Sequence, residues 1–414
     1  MSNDSSVSRR EFFRAGAAAA AAAAALPAVA GEERNDGPNA GPVELPTRKL
    51  GRTGVDVTIL SQGAGFAINN RHMNVMHSMG VRCIDTAKYY LKGASERAIG
   101  DWFKKTGHRK EYFLVTKDVP LEPGDMAGMI DERLENLQTD YIDLFFLHGM
   151  GDSDHYHGLD DVKWFSDPAW LKAVEKIRAS GKCRFFGFST HTRPIEVRTG
   201  MLAGAARGGW VDAIMVGTDP VVMKENAEFN KAIDACHRAG IGLISMKENL
   251  GKEHEMQEKA GKALPGFKDK GLSPYTAILS AMWTDERFAC VCSHMDNLEK
   301  LRENATACRN FKPLGGDELA AVDDLIRRSK RTFCVACDGS CQRAAGTRAD
   351  LNTLARYVTY AEADGRVYEA RELLAAMPPE ARDCTGADLK AARRACKCNV
   401  DFAAVVKRAE ELLA

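Results

Sequence analysis

Three things are missing from this 414-residue chain, and each absence removes a class of function. There is no excess of charge of either sign. Lys+Arg and Asp+Glu both number 57, so the formal charge is zero, and nothing in the balance suits a protein that coats nucleic acid or an anionic membrane. There is no long apolar run beyond residue 30 of the roughly 18 residues that a membrane-spanning helix needs. A phosphate-cradling glycine motif is absent too. Gly63-Ala64-Gly65-Phe66-Ala67-Ile68 lacks the third glycine of a G-x-G-x-x-G turn, and no P-loop occurs, which speaks against a doubly wound nucleotide-binding sheet. What is present is an ordinary globular composition, 45% hydrophobic, on a chain too long for one core. The expected partners are small molecules.

The first thirty residues have a character of their own. Ser8-Arg9-Arg10-Glu11-Phe12-Phe13-Arg14 precedes a stretch that is almost all alanine, and Leu26-Pro27-Ala28-Val29-Ala30 offers a small-x-small cleavage site. The pattern resembles a twin-arginine translocation signal, its weakly hydrophobic alanine core suiting that route better than a leucine-rich one would. It implies export after folding through the twin-arginine machinery, to a periplasmic or other extracytoplasmic location. An alanine-rich helix with an accidental Arg-Arg, or a signal retained as an anchor, is the alternative. Residues 31–45, rich in Gly, Pro, Asn and Asp, read as a flexible linker.

From about residue 55, short apolar runs alternate with amphipathic segments, the sign of βα units and a parallel sheet. The expected strands are Leu60–Gly65, Arg82–Ala87, Tyr112–Asp118, Tyr141–Gly149, Arg184–His191, Trp210–Gly217, Gly242–Glu248 and Phe288–His294. Helical patterns lie between them at Ser95–Lys105, Asp125–Leu137, Ala169–Ala179, Glu196–Ala206, Ala227–Ala239, Pro274–Trp283 and Leu298–Ala307. Eight strands over about 250 residues predict a (β/α)₈ TIM barrel, assigned to residues 46–330. Such barrels keep their chemistry at the C-terminal strand ends. Asp85, Lys117 and His148 terminate the second, third and fourth apolar runs, and Tyr90 lies five residues beyond Asp85.

Asp85-Thr86-Ala87-x-x-Tyr90 followed by Ser95-Glu96 and Gly100, then Lys117, then Leu147-His148-Gly149, resembles the aldo-keto reductase superfamily. The likeness opens at Arg48-Lys49-Leu50-Gly51-Arg52-Thr53-Gly54 and covers roughly residues 47–330. It implies NADP(H) or NAD(H) as cofactor, a small carbonyl or alcohol substrate, and a catalytic tetrad of Asp85, Tyr90, Lys117 and His148. The roles make physical sense. Carbonyl reduction needs hydride on carbon and a proton on oxygen, and a free tyrosine, with a pKa of about 10, holds its proton firmly. The Lys117 ammonium would pull that value down, Asp85 would keep the ammonium charged, and His148 would orient the substrate oxygen. Taken singly, each residue has a structural role open to it: a turn cap, a solvated strand end, a core histidine, a packing aromatic.

The resemblance assigns the cofactor site to Ser189 and Thr190 for the carboxamide, Met215 where the family has Gln, and Met246 with Lys247 after strand seven. Ten, nine and four positions before Asn304, where the family places a basic residue, a Ser and an Arg, stand His294, Met295 and Lys300. These departures leave a second reading, a non-catalytic exported barrel with a decayed nucleotide site. Export also requires that the nicotinamide be trapped before translocation.

Residues 331–414 form a cysteine-rich extension. Cys334-Val335-Ala336-Cys337-Asp338-Gly339-Ser340-Cys341 gives a C-x2-C-x3-C set, with Cys384, Cys396 and Cys398 following. Cys334, Cys337, Cys341 and Cys396 could hold a 4Fe-4S cluster or zinc, or the tail cysteines could pair as disulfides. Helices are expected at Leu351–Ala363, Val367–Ala376, Ala387–Ala395 and Phe402–Leu413, the last packing onto the barrel. The six remaining cysteines, Cys83, Cys183, Cys236, Cys290, Cys292 and Cys308, read as buried small apolar residues.

Overall fold

The computed structural model describes residues 43–151, 156–192, 195–248, 267, 270–329, 334, 339–362, 366–396 and 400–413. The expected signal and most of the linker, with Cys337 and Cys398, lie outside the described residues. The chain enters through an antiparallel pair, β1 (Thr47–Lys49) and β2 (Asp56–Thr58). Gly51 sits in the turn between them at φ 50°, where a Cβ would strike the carbonyl of Gly240. Arg52 donates its N–H to that same carbonyl at 2.5 Å. Because Gly240 precedes a barrel strand, the hairpin closes the N-terminal floor.

Eight further strands follow: β3 (Leu60–Gly63), β4 (Cys83–Asp85), β5 (Phe113–Asp118), β6 (Ile142–Leu147), β7 (Cys183–Thr190), β8 (Ala213–Gly217), β9 (Gly242–Met246) and β10 (Phe288–Ser293). They pair in chain order, all in parallel, and β10 returns to β3 to close the barrel. The (β/α)₈ expectation is met. Side chains alternate between two cores, as strand pleating demands. Val115, Leu144, Phe146, Met215, Ile244, Met246 and Cys292 fill the interior. Leu114, Phe145, Ile214, Leu243 and Val291 face the helices. All six barrel cysteines are buried.

The helices are α1 (Asn70–Ser78), α2 (Ala94–Thr106), α3 (Asp125–Leu137), α4 (Pro168–Ala179), α5 (Ile195–Ala206), α6 (Pro220–Glu225), α7 (Ala227–Arg238), α8 (Pro274–Thr284), α9 (Leu298–Arg309) and α10 (Gly316–Ser329). Helix α1 is absent from the sequence reading, since only His72, Met73 and Met76 are buried and the apolar stripe is thin. Its start is nonetheless encoded: the Asn69 side chain accepts from the His72 N–H. Several expected strands run too long at their C-terminal ends. His148 and Gly149 leave the β6 ladder, so the polar residues that terminate the apolar runs project from the rim.

The extension contributes α11 (Ser340–Ala345), α12 (Leu351–Glu362), α13 (Val367–Ala376), α14 (Pro379–Arg382), α15 (Leu389–Ala395) and α16 (Phe402–Leu413). Helix α16 buries Phe402, Val405, Ala409 and Leu412. It packs chiefly on α12, α13 and α15 of the extension, and its buried residues belong to the same apolar core as the outer face of the barrel.

Barrel closure is tight at Gly187, where a Cβ would overlap the Ala213 carbonyl of β8 and come within 2.9 Å of the Phe146 ring. Gly187→Ala should therefore cost about 1–3 kcal/mol or more through overpacking, read as a lowered urea midpoint with an unchanged slope.

Candidate active site

Strand pleating sends Asp85 and Lys117 to the barrel interior, because they share parity with Cys83 and Val115, and His148 follows the last residue of β6 at the rim. Lys117 is almost wholly buried and donates from Nζ to both Asp85 oxygens at 2.6 Å, to the Thr86 carbonyl at 2.8 Å and to the Tyr90 hydroxyl at 3.3 Å. Burial opposes the Lys117 charge, but the Asp85 carboxylate outweighs it and holds the ammonium pKa above its ordinary value. Tyr90 meets the His148 ring edge-on, with centroids 5.8 Å apart and planes at 88°. The four residues named from sequence come together.

The Tyr90 phenol departs from expectation. Burial raises its pKa, the Lys117 ammonium lowers it, and the Asp85 charge raises it again, leaving a net upward shift. The largest influence is burial, and Asp85 adds to it by offsetting part of the Lys117 charge that was expected to acidify the phenol. Tyr90 is thus a fully protonated acid at neutral pH.

The loop carrying Tyr90 is clamped at both ends. On its N-terminal side Lys117 grips Asp85 and Thr86. Beyond Tyr90, Leu91 and Lys92 adopt φ 51° and 54°, strained for residues with a side chain, and Gly93 continues at 79° before α2 begins. The first turn of α2 then anchors to β5. The Glu96 carboxylate accepts from the Thr116 hydroxyl at 2.6 Å and lies 3.0 Å from Arg133 Nε, while Arg133 Nη1 donates to Asp118 at 2.5 Å. Glu96, Arg133 and Asp118 are buried. Thr116 and Asp118 flank Lys117, so one ion network fixes both the tyrosine loop and the lysine strand. Sequence reasoning used Glu96 only as part of a motif and missed Arg133. Its signal is an arginine on the apolar face of α3.

The cofactor candidates are less uniform. Ser189 Oγ accepts from the Gly149 N–H at 3.0 Å, keeping its own hydrogen to donate. Thr190 is buried with Oγ1 lacking a partner, and Asn304, whose Nδ2 donates to Ser293 Oγ at 3.1 Å, is buried with Oδ1 lacking one. Orphaned buried oxygens fit a site built for polar ligand groups. Met215, in the middle of β8, and Met246, at the end of β9, are buried apolar surface, able to pack against a ring but not to bond it. Lys247 follows Met246 at φ 62°. His294 is more than half exposed, with Nε2 4.0 Å from Asp296, and Lys300 Nζ lies 3.1 Å from the same carboxylate.

Two neighbours escaped the sequence reading. Cys292, whose thiol is pushed up chiefly by burial, hydrogen-bonds Asp85. His191, just past β7, has its pKa held well below the ordinary histidine value, chiefly by burial and then by the charges of Lys247 and Arg356.

In the extension, the Cys334 and Cys341 thiols donate to Asn352 Oδ1 at 3.2 and 4.0 Å, and Cys396 Sγ accepts from the Val400 N–H at 3.4 Å. Among the described residues, no three tail sulfurs gather within 4.8 Å, and no disulfide joins two of the ten described cysteines. One cluster of metal-type donors does occur among them, His77, His108 and Glu111 on the outer surface. Its rings stack at 4.1 Å and 28°, so their lone pairs do not aim at one point as coordination requires.

A sequence model of the aldo/keto reductase family matches residues 66–327, well over half of the chain. The chain belongs to the aldo/keto reductase family. Among relatives of this family member, the L-galactose dehydrogenase of Arabidopsis thaliana is 24% identical over 323 residues, 69% of this chain and 96% of that protein. The Schizosaccharomyces pombe aldo-keto reductase yakc, with NADP(+) in its name, is 26% identical over 222 residues, 49% of this chain and 60% of that protein. In fold, this aldo/keto reductase is similar to the holo form of an aldo-keto reductase from Bacillus halodurans, at TM-score 0.53 and 19% identity over 68% of this chain and 96% of that one. An aldo-keto reductase from Klebsiella pneumoniae in complex with NADPH matches at TM-score 0.50 and 20% identity over 68% and 95%.

Removing one partner from a buried ion network leaves the others uncompensated. Arg133→Met should cost about 3–5 kcal/mol of stability, measured by denaturant unfolding, with Glu96→Gln costing less because its hydrogen bond to Thr116 survives.

Proposed function

We propose that this chain is an NAD(P)H-dependent oxidoreductase that interconverts a carbonyl and an alcohol, with Tyr90 as general acid and base. The observation that carries the reading is the Tyr90 hydroxyl 3.3 Å from a Lys117 ammonium that is itself held by Asp85 at 2.6 Å. A bound reduced nicotinamide supplies hydride. Ser189, Thr190, Met246, Lys247, Lys300 and Asn304 are the residues to hold such a dinucleotide, and the orphaned Thr190 and Asn304 oxygens support that assignment.

In reduction, Tyr90 gives its proton to the carbonyl oxygen as negative charge develops there. The adjacent ammonium stabilises the phenolate that remains, and Asp85 keeps the ammonium in place. His148, edge-on to the Tyr90 ring, bonds the same oxygen and fixes the angle of approach. In oxidation the roles reverse, and Tyr90 must first lose its proton. Two relatives, one named an aldo-keto reductase and the other an L-galactose dehydrogenase, support an aldehyde, ketone or sugar substrate.

We also propose that the precursor is exported by the twin-arginine route to a periplasmic or other extracytoplasmic site, on the strength of Arg9-Arg10 and the alanine core that follows.

Tyr90→Phe should lower the reduction rate roughly 10²–10⁴-fold while leaving NADPH and NADH titrations nearly unchanged; an unaltered rate would refute the assigned acid. Because the Tyr90 pKa lies above its ordinary value, reduction by the wild type should be flat through neutrality and fall only at alkaline pH. Oxidation should climb with pH over that alkaline range. A reduction limb near pH 7 that survives Tyr90→Phe would place the proton elsewhere. Replacing Arg9 and Arg10 by Lys should hold the precursor in the cytoplasm on fractionation, and undiminished export would end that proposal.

A further inference from the structure

The extension meets the barrel at its C-terminal rim. Met246 is the last residue of β9 and belongs to the interior packing, in register with Cys292 of β10. All eight strands run parallel, so the residues that follow β9 and β6 leave on one face, and Lys247 stands on the same rim as His148. There the Lys247 Nζ lies 5.9 Å from the ring centroid of Tyr360 on α12, within the about 6 Å over which a ring face attracts a cation. Lys247 has a left-handed backbone at φ 62°, which a residue with a side chain keeps only where its surroundings hold it.

The Tyr360 ring is itself held. Arg356, one turn earlier on the same helix face, donates from Nε to the Tyr360 hydroxyl at 2.8 Å. The Arg366 N–H donates to the Tyr360 carbonyl at 2.9 Å, and the Arg366 guanidinium carbon lies 4.7 Å from the ring centroid. Tyr360 is buried, and with Leu354, Tyr357 and Val358 of the same helix it belongs to the apolar core that also contains the outer face of the barrel. A ring fixed in this way presents its face at little further entropic cost. One residue before Lys247, the Met246 carbonyl accepts from the Thr218 N–H at 3.2 Å, which ties this part of the rim to the end of β8.

We infer that Tyr360 of the extension is a positioning residue for the proposed reaction, its ring fixing the Lys247 side chain and the end of β9 at the barrel mouth. The inference deepens the proposed function and rests on it for one point, that Lys247 is among the residues holding the dinucleotide. Tyr360 acts through Lys247 rather than on the reacting atoms. The extension is then required for binding at the mouth, although it lies outside the stretch that matches the family, residues 66–327.

The test uses the full chain with Tyr360→Leu, Tyr360→Phe, Lys247→Met and the double variant Tyr360→Leu/Lys247→Met, each checked by its melting curve. NADPH and NADH affinity is read by fluorescence, kcat and KM by reduction of a small aldehyde, and exchange of the Thr218 amide hydrogen by mass spectrometry. Tyr360→Leu should weaken dinucleotide binding about three- to tenfold, the loss of one cation–ring contact, and raise the dinucleotide KM more than it lowers kcat. Tyr360→Phe, which keeps the ring, should retain most of the affinity. The double variant should bind no more weakly than Lys247→Met alone, because a residue acting through Lys247 then has nothing left to position. The inference is overturned by losses that add in the double variant, by a loss in Tyr360→Leu without one in Lys247→Met, by Tyr360→Phe binding as weakly as Tyr360→Leu, or by unchanged affinity in Tyr360→Leu. Should Tyr360→Leu not fold, Tyr360→Gln, which removes the ring but leaves an oxygen for Arg356, carries the same readings. A wild type that binds neither dinucleotide defeats the proposed function instead, and the Thr218 amide then decides the inference alone. Faster exchange in Tyr360→Leu and Lys247→Met alike, and no faster in the double variant, supports it; any other pattern overturns it.

Discussion

An ammonium buried inside a barrel is the constraint around which this structure is arranged. Taking Lys117 out of water costs several kcal/mol unless a counter-charge and hydrogen-bond acceptors meet it, and here Asp85 and the Thr86 carbonyl do so at 2.6–2.8 Å. The two groups sit on non-neighbouring positions of the chain but on adjacent strands, β4 and β5. Pairing them ties the floor of the site to the barrel's own hydrogen-bond ladder. Tyr90 then needs only a short loop to bring its hydroxyl over the ammonium.

That loop is held against its own strain. Leu91 and Lys92 occupy left-handed conformations, each costing about 1 kcal/mol or more, and local hydrogen bonds to the Leu91 and Lys92 carbonyls offset only part of this. Further compensation comes from outside the barrel wall, where Glu96, Arg133 and Asp118 bind the start of α2 to β5. Interior chemistry and exterior packing therefore meet on alternate residues of one strand: Lys117 points in, and Thr116 and Asp118 point out. Burial is the main reason that Tyr90 stays protonated, and the carboxylate that holds the lysine adds to it by offsetting part of the ammonium's effect on the phenol, so the site is poised to donate a proton, and withdrawing one demands alkaline conditions.

The extension changes what the barrel mouth presents. Its helices pack chiefly on one another, yet their buried apolar residues join the same core as the outer face of the barrel, and α12 brings the Tyr360 ring within 5.9 Å of the Lys247 ammonium. The tail cysteines do not dominate this arrangement. Those that are described lie within the extension's packing, with Asn352 accepting from two of them.

Much of this was legible beforehand for definite reasons. Eight apolar runs with polar ends announce a closed parallel sheet, because strands buried on both faces cannot alternate with solvent, and the order Asp85, Tyr90, Lys117, His148 follows from where those runs stop. Helix α1 was missed because its buried stripe is thin, and Arg133 because a charged residue on a helix reads as solvated until its partners are known. Chain chemistry alone determined the barrel, the four converging side chains and the arginine pair near the N-terminus, since each depends on local pattern. Only the tertiary structure decided the burial and the net charge felt by Tyr90, the clamp on its loop and the approach of Lys247 to the Tyr360 ring. These are energies of proximity between residues far apart in sequence, and no local pattern contains the distances on which they depend.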